Sequence, residues 1–165
     1  MQLTLDHYNK QKFIIDKPAR LIEVFSGIGA FSKALTRLGV DFTHHRAIDI
    51  DKYAMQSYNA MYGTAFKPQD ITQVKGGDLG ITDTDKYVYI LSYSFPCQDL
   101  SVAGKRKGMA KDSETRSGLL WEVERLLKET ELLPQVLLME NVTEVHGKNN
   151  LADIWGEPLI QEYPW

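Results

Sequence analysis

Short strand-like runs, most of them apolar, recur along the chain and are separated by segments with the 3.6-residue period of a helix. The runs lie at residues 21–25, 44–48, 87–92 and 136–139. Helices are predicted between them, at residues 30–38, through Tyr53 and Tyr58 to near Gly63, and at residues 118–129. Gly39 follows the first helix, where a C′ glycine commonly ends one. Because strands and helices alternate, we expect an α/β fold with a doubly wound, mostly parallel sheet in a three-layer core.

The stretches outside this pattern are short. Residues 1–17 are expected to form an arm with one possible short strand at residues 13–15, before the break at Pro18. A short strand or loop at residues 63–66 and a turn at Gly76 and Gly77 precede the third strand. A chain of 165 residues, of which 43% are hydrophobic and 25% charged, is typical of one globular domain with a single core.

Composition excludes several classes of protein. No apolar stretch approaches the roughly 20 residues that cross a bilayer, and residues 1–12 lack the apolar segment of a signal peptide. We therefore expect a cytoplasmic protein that does not bind membranes. One cysteine and four scattered histidines form neither a disulfide nor the spacing of a zinc site, so no metal is expected.

The charge of the chain disfavours independent binding to nucleic acid. The formal net charge is −3, whereas neutralising phosphates requires a basic surface. The local exception is the run from Lys105 through Arg106 to Lys107, and such a short run is more often a solvated loop.

A glycine loop follows the first strand and begins the first helix. Gly27 and Gly29 allow a ligand to approach the backbone, and Asp49, at the end of the next strand, can accept hydrogen bonds from a ribose diol. Ser32 replaces the third glycine of the phosphate-binding fingerprint, which favours a nucleoside without phosphates. The alternative is that the glycines only form a tight turn and Asp49 caps the following helix. Asp70 and Ile71 add a possible acceptor and apolar surface for a purine, or a simple turn or helix cap.

Two further groups at the carboxyl ends of strands can carry chemistry. Cys97, after Pro96, is a potential nucleophile if its surroundings lower the pKa of the thiol, although most lone cysteines are small buried hydrophobes. Glu140 and Asn141 follow the fourth strand, and a carboxyl group among apolar neighbours can deliver a proton at neutral pH. The alternative for Glu140 is a helix-capping carboxylate. Both positions lie at the edge where a substrate would bind.

The order of these elements resembles that of the DNA cytosine-5 methyltransferase family over about residues 20–148. The matching segments are FSGIGAF at 25–31, DIDKYA at 49–54, DITQV at 70–74, FPCQDLS at 95–101 and MENV at 139–142. The resemblance implies a Rossmann-like fold and S-adenosylmethionine as the cofactor. The implied cofactor-binding residues are Phe25, Ser26, Gly27, Ile28, Gly29, Asp49, Ile50, Asp70, Ile71, Pro96 and Leu119.

The resemblance also implies a reaction. Cys97 would add to C6 of a cytosine flipped out of duplex DNA, and Glu140 would hold its N3 and exocyclic amine. The implied substrate-binding residues are Gln98, Ser101, Lys105, Arg106 and Asn141. Two alternatives stay open at this point: a module that binds S-adenosylmethionine or a partner protein without turnover, and an enzyme of the same chemistry that acts on RNA.

Three features depart from the family pattern. Ala30 stands where a third glycine is usual, and Asp49 stands where glutamate is usual. After about residue 150 the chain lacks the family's later motifs and target-recognition region, and Gly156 and Pro158 disfavour a helix there. Residues 18–165 are therefore expected to form a partial catalytic and cofactor-binding domain, incomplete at its C-terminus. A complementary C-terminal polypeptide or missing domain is implied as a partner.

Overall fold

A four-stranded parallel sheet forms the centre of the computed structural model, which describes residues 15–96 and 119–140. The strands are β1 (Ala19–Val24), β2 (Phe42–Ile48), β3 (Val88–Tyr93) and β4 (Val136–Met139), in the spatial order β2-β1-β3-β4. All three strand pairs are parallel. The helices are α1 (Ala30–Arg37), α2 (Lys52–Tyr62) and α3 (Leu120–Glu129), and two 3-10 turns lie at Ile71–Gln73 and Gly76–Leu79.

The strand order reverses next to β1. From β1 the chain passes to β2 on one side and later returns to β3 on the other. In open α/β sheets, the crevice at such a reversal, outside the carboxyl ends of the strands, is where ligands bind. The topology therefore points to the ends of β1 and β3, and it confirms the predicted α/β class.

Alternating residues of β1 face two separate helical layers. Leu21 packs with Leu35 of α1, whereas Ile22 and Val24 pack with Val123 and other apolar residues of α3. Burying each such side chain contributes roughly 1.5–3 kcal/mol of hydrophobic free energy. The result is the predicted three-layer core, with helices on both faces of the sheet.

Most predicted element bounds agree with the structure to within a few residues. The fourth strand has the predicted limits, while β2 begins two residues earlier, at Phe42. Gly39 follows the C-cap Leu38 with a φ of +72°, as expected for a C′ glycine. Gly76 begins a 3-10 turn rather than a simple Gly-Gly turn. The possible strand at residues 13–15 lies mostly outside the described residues, as does residue 118 of the predicted third helix.

A buried polar network connects β1 to α1 and α2. The Glu23 side chain, only 1% exposed, accepts hydrogen bonds from Ser32 Oγ, from the Ser32 N–H at 3.2 Å and from the Tyr58 hydroxyl at 2.6 Å. Because the one hydroxyl hydrogen of Tyr58 is used on Glu23, His44 Nδ1 donates to the Tyr58 oxygen at 2.9 Å. Burial raises the pKa of Tyr58, and the neighbouring Glu23 raises it further.

Stability is expected to fall as the solution is acidified through the histidine range. Burial lowers the pKa of His44 and of His45, and it outweighs the opposing effects of Glu23 on His44 and of the Gly80 carbonyl on His45. Between the lowered folded pKa and the unfolded value of about 6.5, the unfolded chain binds more protons, so the free energy of unfolding rises with pH. Urea unfolding should therefore give a lower free energy at about pH 5.5 than at about pH 7.5.

The control for this prediction removes both rings. A variant carrying His44→Gln and His45→Gln should show a weaker pH dependence over the same interval, because glutamine does not titrate there. An unfolding free energy of the unsubstituted chain that rises on acidification would contradict the prediction.

Candidate active site

A cavity of about 270 Å³ lies at the carboxyl edge of the sheet. It is bordered by the segments that follow β1, β2 and β3, by the loop before the Ile71–Gln73 turn, and by the residue that precedes α3. This is the position that the reversal of strand order predicts. The lining residues are Phe25, Ile48, Asp49, Ile50, Gln69, Asp70, Ile71, Ser94, Pro96 and Leu119.

The glycine loop takes a left-handed backbone at three alternate positions. Phe25, Gly27 and Gly29 have φ angles of +56°, +52° and +87°. No atom in the described part of the chain lies within 4 Å of an added Cβ at Gly27, so the φ angle is what favours glycine there. At Gly29 an added Cβ would lie 2.4 Å from Tyr62 Cε2, and the Tyr62 hydroxyl donates to the Gly29 carbonyl at 2.7 Å. The loop is therefore fixed against α2 by close contact.

Asp49 connects three of the segments that border the cavity. Its Oδ2 accepts from the Gly27 N–H at 2.8 Å, and its Oδ1 accepts from the Asp51 N–H at 2.9 Å. The Asp49 carbonyl accepts from the Gln69 N–H at 2.8 Å. A carboxylate oxygen has room for a second donor, so this anchored side chain can still accept a ligand hydroxyl.

The alternative role considered for Asp49, capping of the next helix, is wrong. Asp51 is the N-cap of α2, and its Oδ1 accepts from the N–H groups of Tyr53 and Ala54 at 2.7 and 3.2 Å. The helix begins two residues later than a cap at Asp49 requires. Asp49 therefore lies half-buried at the cavity, outside the helix.

Asp70 caps a turn, which is one of the two roles considered for it, and it also lies at the cavity. It is the N-cap of the Ile71–Gln73 turn, and its Oδ1 accepts from the backbone N–H and the hydroxyl of Thr72 at 3.0 and 2.9 Å. It also lines the cavity. Among the described residues Oδ2 receives no hydrogen bond, which leaves one carboxylate oxygen for a ligand.

A guanidinium group of α3 fixes the loop that contains Asp70. Arg125 Nη2 donates to the carbonyls of Ile71 and Val74 at 3.0 and 2.9 Å, and Nη1 pairs with Glu129 at 2.8 Å. Hydrogen bonds from Arg125 and from the Gly76 N–H lower the pKa of Glu129. Hydrogen bonds from α3 therefore stabilise the wall of the cavity that Asp70 and Ile71 form.

Glu140 lies beside the cavity, directly after β4. Ser94 Oγ donates to Glu140 Oε2 at 2.5 Å, and Ser94 itself lines the cavity. The Glu140 side chain is exposed, rather than enclosed by the apolar neighbours that the sequence led us to expect. Its alternative role as a helix cap involves residues after 140, outside the described residues.

Seven of the predicted cofactor-binding residues border the cavity: Phe25, Asp49, Ile50, Asp70, Ile71, Pro96 and Leu119. Ser26 and Gly27 lie outside the lining but bond to residues in it: the Ser26 N–H donates to the Ile48 carbonyl at 3.1 Å, and the Gly27 N–H donates to Asp49. Ile28 and Gly29 border a separate groove with α1 and α2, and the Ile28 side chain is 57% exposed. The predicted residues outside the described part of the chain are Cys97, Gln98, Ser101, Lys105, Arg106 and Asn141.

Three residues of the cavity were not predicted from the sequence. They are Ile48, Gln69 and Ser94. Gln69 precedes Asp70 in the chain, and Arg46 Nη2 donates to its Oε1 at 3.0 Å. The sequence signal that could have identified these three residues is their position beside predicted residues, at the ends of strands or loops.

Comparison with models of protein families finds the family that the sequence motifs resemble. The model of the C-5 cytosine-specific DNA methylase family matches residues 19–157. The chain belongs to this family.

Individual relatives agree with this membership. The chain is 38% identical over 128 residues to the type II methyltransferase M.NlaX of Neisseria lactamica, and 36% identical over 132 residues to M.HhaI of Haemophilus parahaemolyticus. These alignments cover 78% and 79% of this chain but only 37% and 36% of the relatives, so the chain spans well under half of their length.

A solved structure supports the fold. The Dnmt2 methyltransferase of S. pombe superposes with a TM-score of 0.65 at 23% identity, covering 88% of this chain and 41% of that one. The predicted Rossmann-like methyltransferase fold is confirmed. Within residues 15–96 and 119–140, no helix is long and apolar enough to span a membrane.

Proposed function

We propose that this chain is the cofactor-binding and nucleophile-bearing part of a DNA cytosine-5 methyltransferase. The observation that carries the proposal is the cavity at the ends of β1, β2 and β3, joined to Glu140 through Ser94. The proposed cofactor site and the proposed catalytic carboxyl group therefore lie next to each other at one edge of the sheet. Membership of the C-5 cytosine-specific DNA methylase family supports the same function.

The chemistry of the cavity suits S-adenosylmethionine. Asp49 can accept hydrogen bonds from the ribose diol, and Oδ2 of Asp70 can accept from the adenine amino group. Apolar side chains, among them Phe25, Ile71 and Leu119, offer surfaces to the purine. The described lining contains two carboxylates and no lysine or arginine, which disfavours phosphates and favours a positively charged ligand.

The remaining chemistry belongs to residues of the chain. Bound in this cavity, S-adenosylmethionine supplies an electrophilic methyl group. The Cys97 thiolate forms a bond to C6 of a flipped cytosine, which makes C5 nucleophilic. Glu140 holds a proton toward N3 and accepts from the exocyclic amine, which stabilises the charge that develops in the ring. Once C5 carries the methyl group, loss of the C5 proton restores the ring double bond and releases Cys97.

The chain matches only part of the length of its relatives. Because the chain spans well under half of M.NlaX and M.HhaI, we propose that further polypeptide, on the same or a second chain, supplies target recognition. Residues 1–17 would form an arm, and residues 18–165 part of the catalytic domain. Duplex DNA is the proposed substrate, and the cytoplasm is the proposed location.

Cofactor binding tests the proposal with a matched pair of variants. Isothermal titration calorimetry of the chain with S-adenosylmethionine should show binding. Asp49→Asn should weaken the affinity about tenfold to hundredfold, because a hydrogen bond to a charged group, which contributes about 1.5–3 kcal/mol, is lost. Asp51→Asn, two residues away, keeps a capping side chain and lies outside the cavity lining, so its affinity should stay within about threefold.

The outcomes separate the proposal from its alternatives. Absence of S-adenosylmethionine binding would refute the assigned cofactor site. Binding without methyl transfer to any nucleic acid, even with complementing polypeptide, would support a non-catalytic module. Faster transfer to structured RNA than to duplex DNA would support an RNA cytosine-5 methyltransferase.

A further inference from the structure

A side-chain hydrogen bond joins the cofactor cavity to Glu140. Ser94 follows β3, Glu140 follows β4, and Ser94 Oγ lies 2.5 Å from Glu140 Oε2. The two residues stand side by side because the register pairs Tyr93 with Met139 and the Glu140 N–H donates to the Tyr93 carbonyl at 3.2 Å. Strand pairing, rather than the path of a flexible loop, places this hydroxyl against the carboxyl group.

Resting on the function proposed above, we propose that Ser94 is a positioning residue that orients Glu140 toward the target cytosine. A serine hydroxyl has one hydrogen, and here it is donated to Oε2. A proton on the Glu140 carboxyl group is then favoured on Oε1, which can donate to cytosine N3. Oε2 keeps a lone pair that can accept from the exocyclic amine. The single serine bond therefore sets which oxygen donates and which accepts.

The surroundings of Glu140 explain why such a bond is needed. The side chain is exposed, so packing against residues 15–96 and 119–139 does not select one rotamer. A glutamate in this position loses rotamer freedom when it engages a base, and a preformed bond reduces that loss. Ser94 also lines the cofactor cavity, so the group that orients Glu140 borders both proposed sites.

Exchange of the C5 hydrogen of cytosine measures this role without the methyl donor. When the Cys97 thiolate adds to C6, C5 can take up a deuteron from solvent. Loss of the original proton and release of the thiolate then complete the exchange. The rate depends on Cys97 and Glu140 but not on S-adenosylmethionine, so it separates orientation of Glu140 from any change in cofactor binding.

The experiment uses the chain together with the polypeptide that supplies target recognition. Ser94→Ala should lower both the C5 exchange rate and kcat for methyl transfer about tenfold to hundredfold, while the KM for DNA changes by less than about threefold. Ser94→Thr retains a hydroxyl and should recover most of the rate. Ser57→Ala removes an exposed α2 hydroxyl that, among the described residues, bonds only to the Tyr53 carbonyl, and it should leave both rates unchanged.

A double-mutant cycle with Glu140→Gln identifies the path of the effect. If Ser94 acts through Glu140, adding Ser94→Ala to Glu140→Gln should cause little further loss of exchange. Equal losses from Ser94→Ala in both backgrounds, or an unchanged exchange rate in Ser94→Ala, would overturn the inference. A complete enzyme without exchange or methyl transfer before any substitution would instead refute the proposed function, and the role of Ser94 with it.

Discussion

Replacing Cys97 by serine is expected to abolish methyl transfer, with a loss of about a thousandfold or more. The proposed reaction needs an anionic nucleophile at C6, and a thiol forms its anion near neutral pH whereas a serine hydroxyl does not. The substitution changes one atom and adds no bulk. Transfer of labelled methyl groups to duplex DNA, measured on the chain with complementing polypeptide, checks the expectation.

Trapping on DNA that contains 5-fluorocytosine gives the matched control. Fluorine at C5 is not lost as a proton is, so the covalent intermediate accumulates when the nucleophile is present. The chain has one cysteine, so a thiol adduct on it has only one possible site. The unsubstituted enzyme and Ser57→Ala should form the adduct, and Cys97→Ser should not. An equal adduct from Cys97→Ser would contradict the assignment.

The edge of the sheet that carries the candidate site could be predicted from the sequence because local patterns determine it. A few consecutive residues are enough to predict the strand at residues 136–139, and likewise the C′ position of Gly39. The carboxyl ends of parallel strands necessarily meet at one edge. Seven predicted cofactor residues therefore gather around one cavity, although they lie far apart in the chain.

Contacts between distant segments could not be predicted in the same way. Whether Asp49 or Asp51 caps α2 depends on where the backbone turns after β2, and both are aspartates. The contact of Ser94 with Glu140 depends on the register of β3 against β4. The hydrogen bond from Arg125 to the Ile71 carbonyl joins residues that are 54 positions apart. Sequence spacing contains no information on such pairings, whereas it contains much on local turns.

Glu23 gives the second large effect, on stability rather than on chemistry. Glu23→Leu is expected to lower the free energy of unfolding by about 3–5 kcal/mol, because it leaves buried donors of Ser32 and Tyr58 without an acceptor. That loss is a large part of the roughly 5–15 kcal/mol typical of a domain. Urea unfolding at constant pH measures it. Glu23→Gln keeps one acceptor oxygen and should cost less, about 1–2 kcal/mol.

A triple variant separates unsatisfied hydrogen bonds from lost packing. Adding Ser32→Ala and Tyr58→Phe to Glu23→Leu removes the two donating hydroxyl groups. The Ser32 N–H stays without its acceptor, and His44 Nδ1 loses the Tyr58 oxygen, although the ring can carry its hydrogen on Nε2 instead. If unsatisfied donors cause most of the loss, the triple variant should be more stable than Glu23→Leu alone, because apolar groups can replace a buried polar cluster at little cost. If the triple variant is instead less stable than Glu23→Leu, then the packing of these side chains, rather than their hydrogen bonds, stabilises the contact of β1 with α1 and α2.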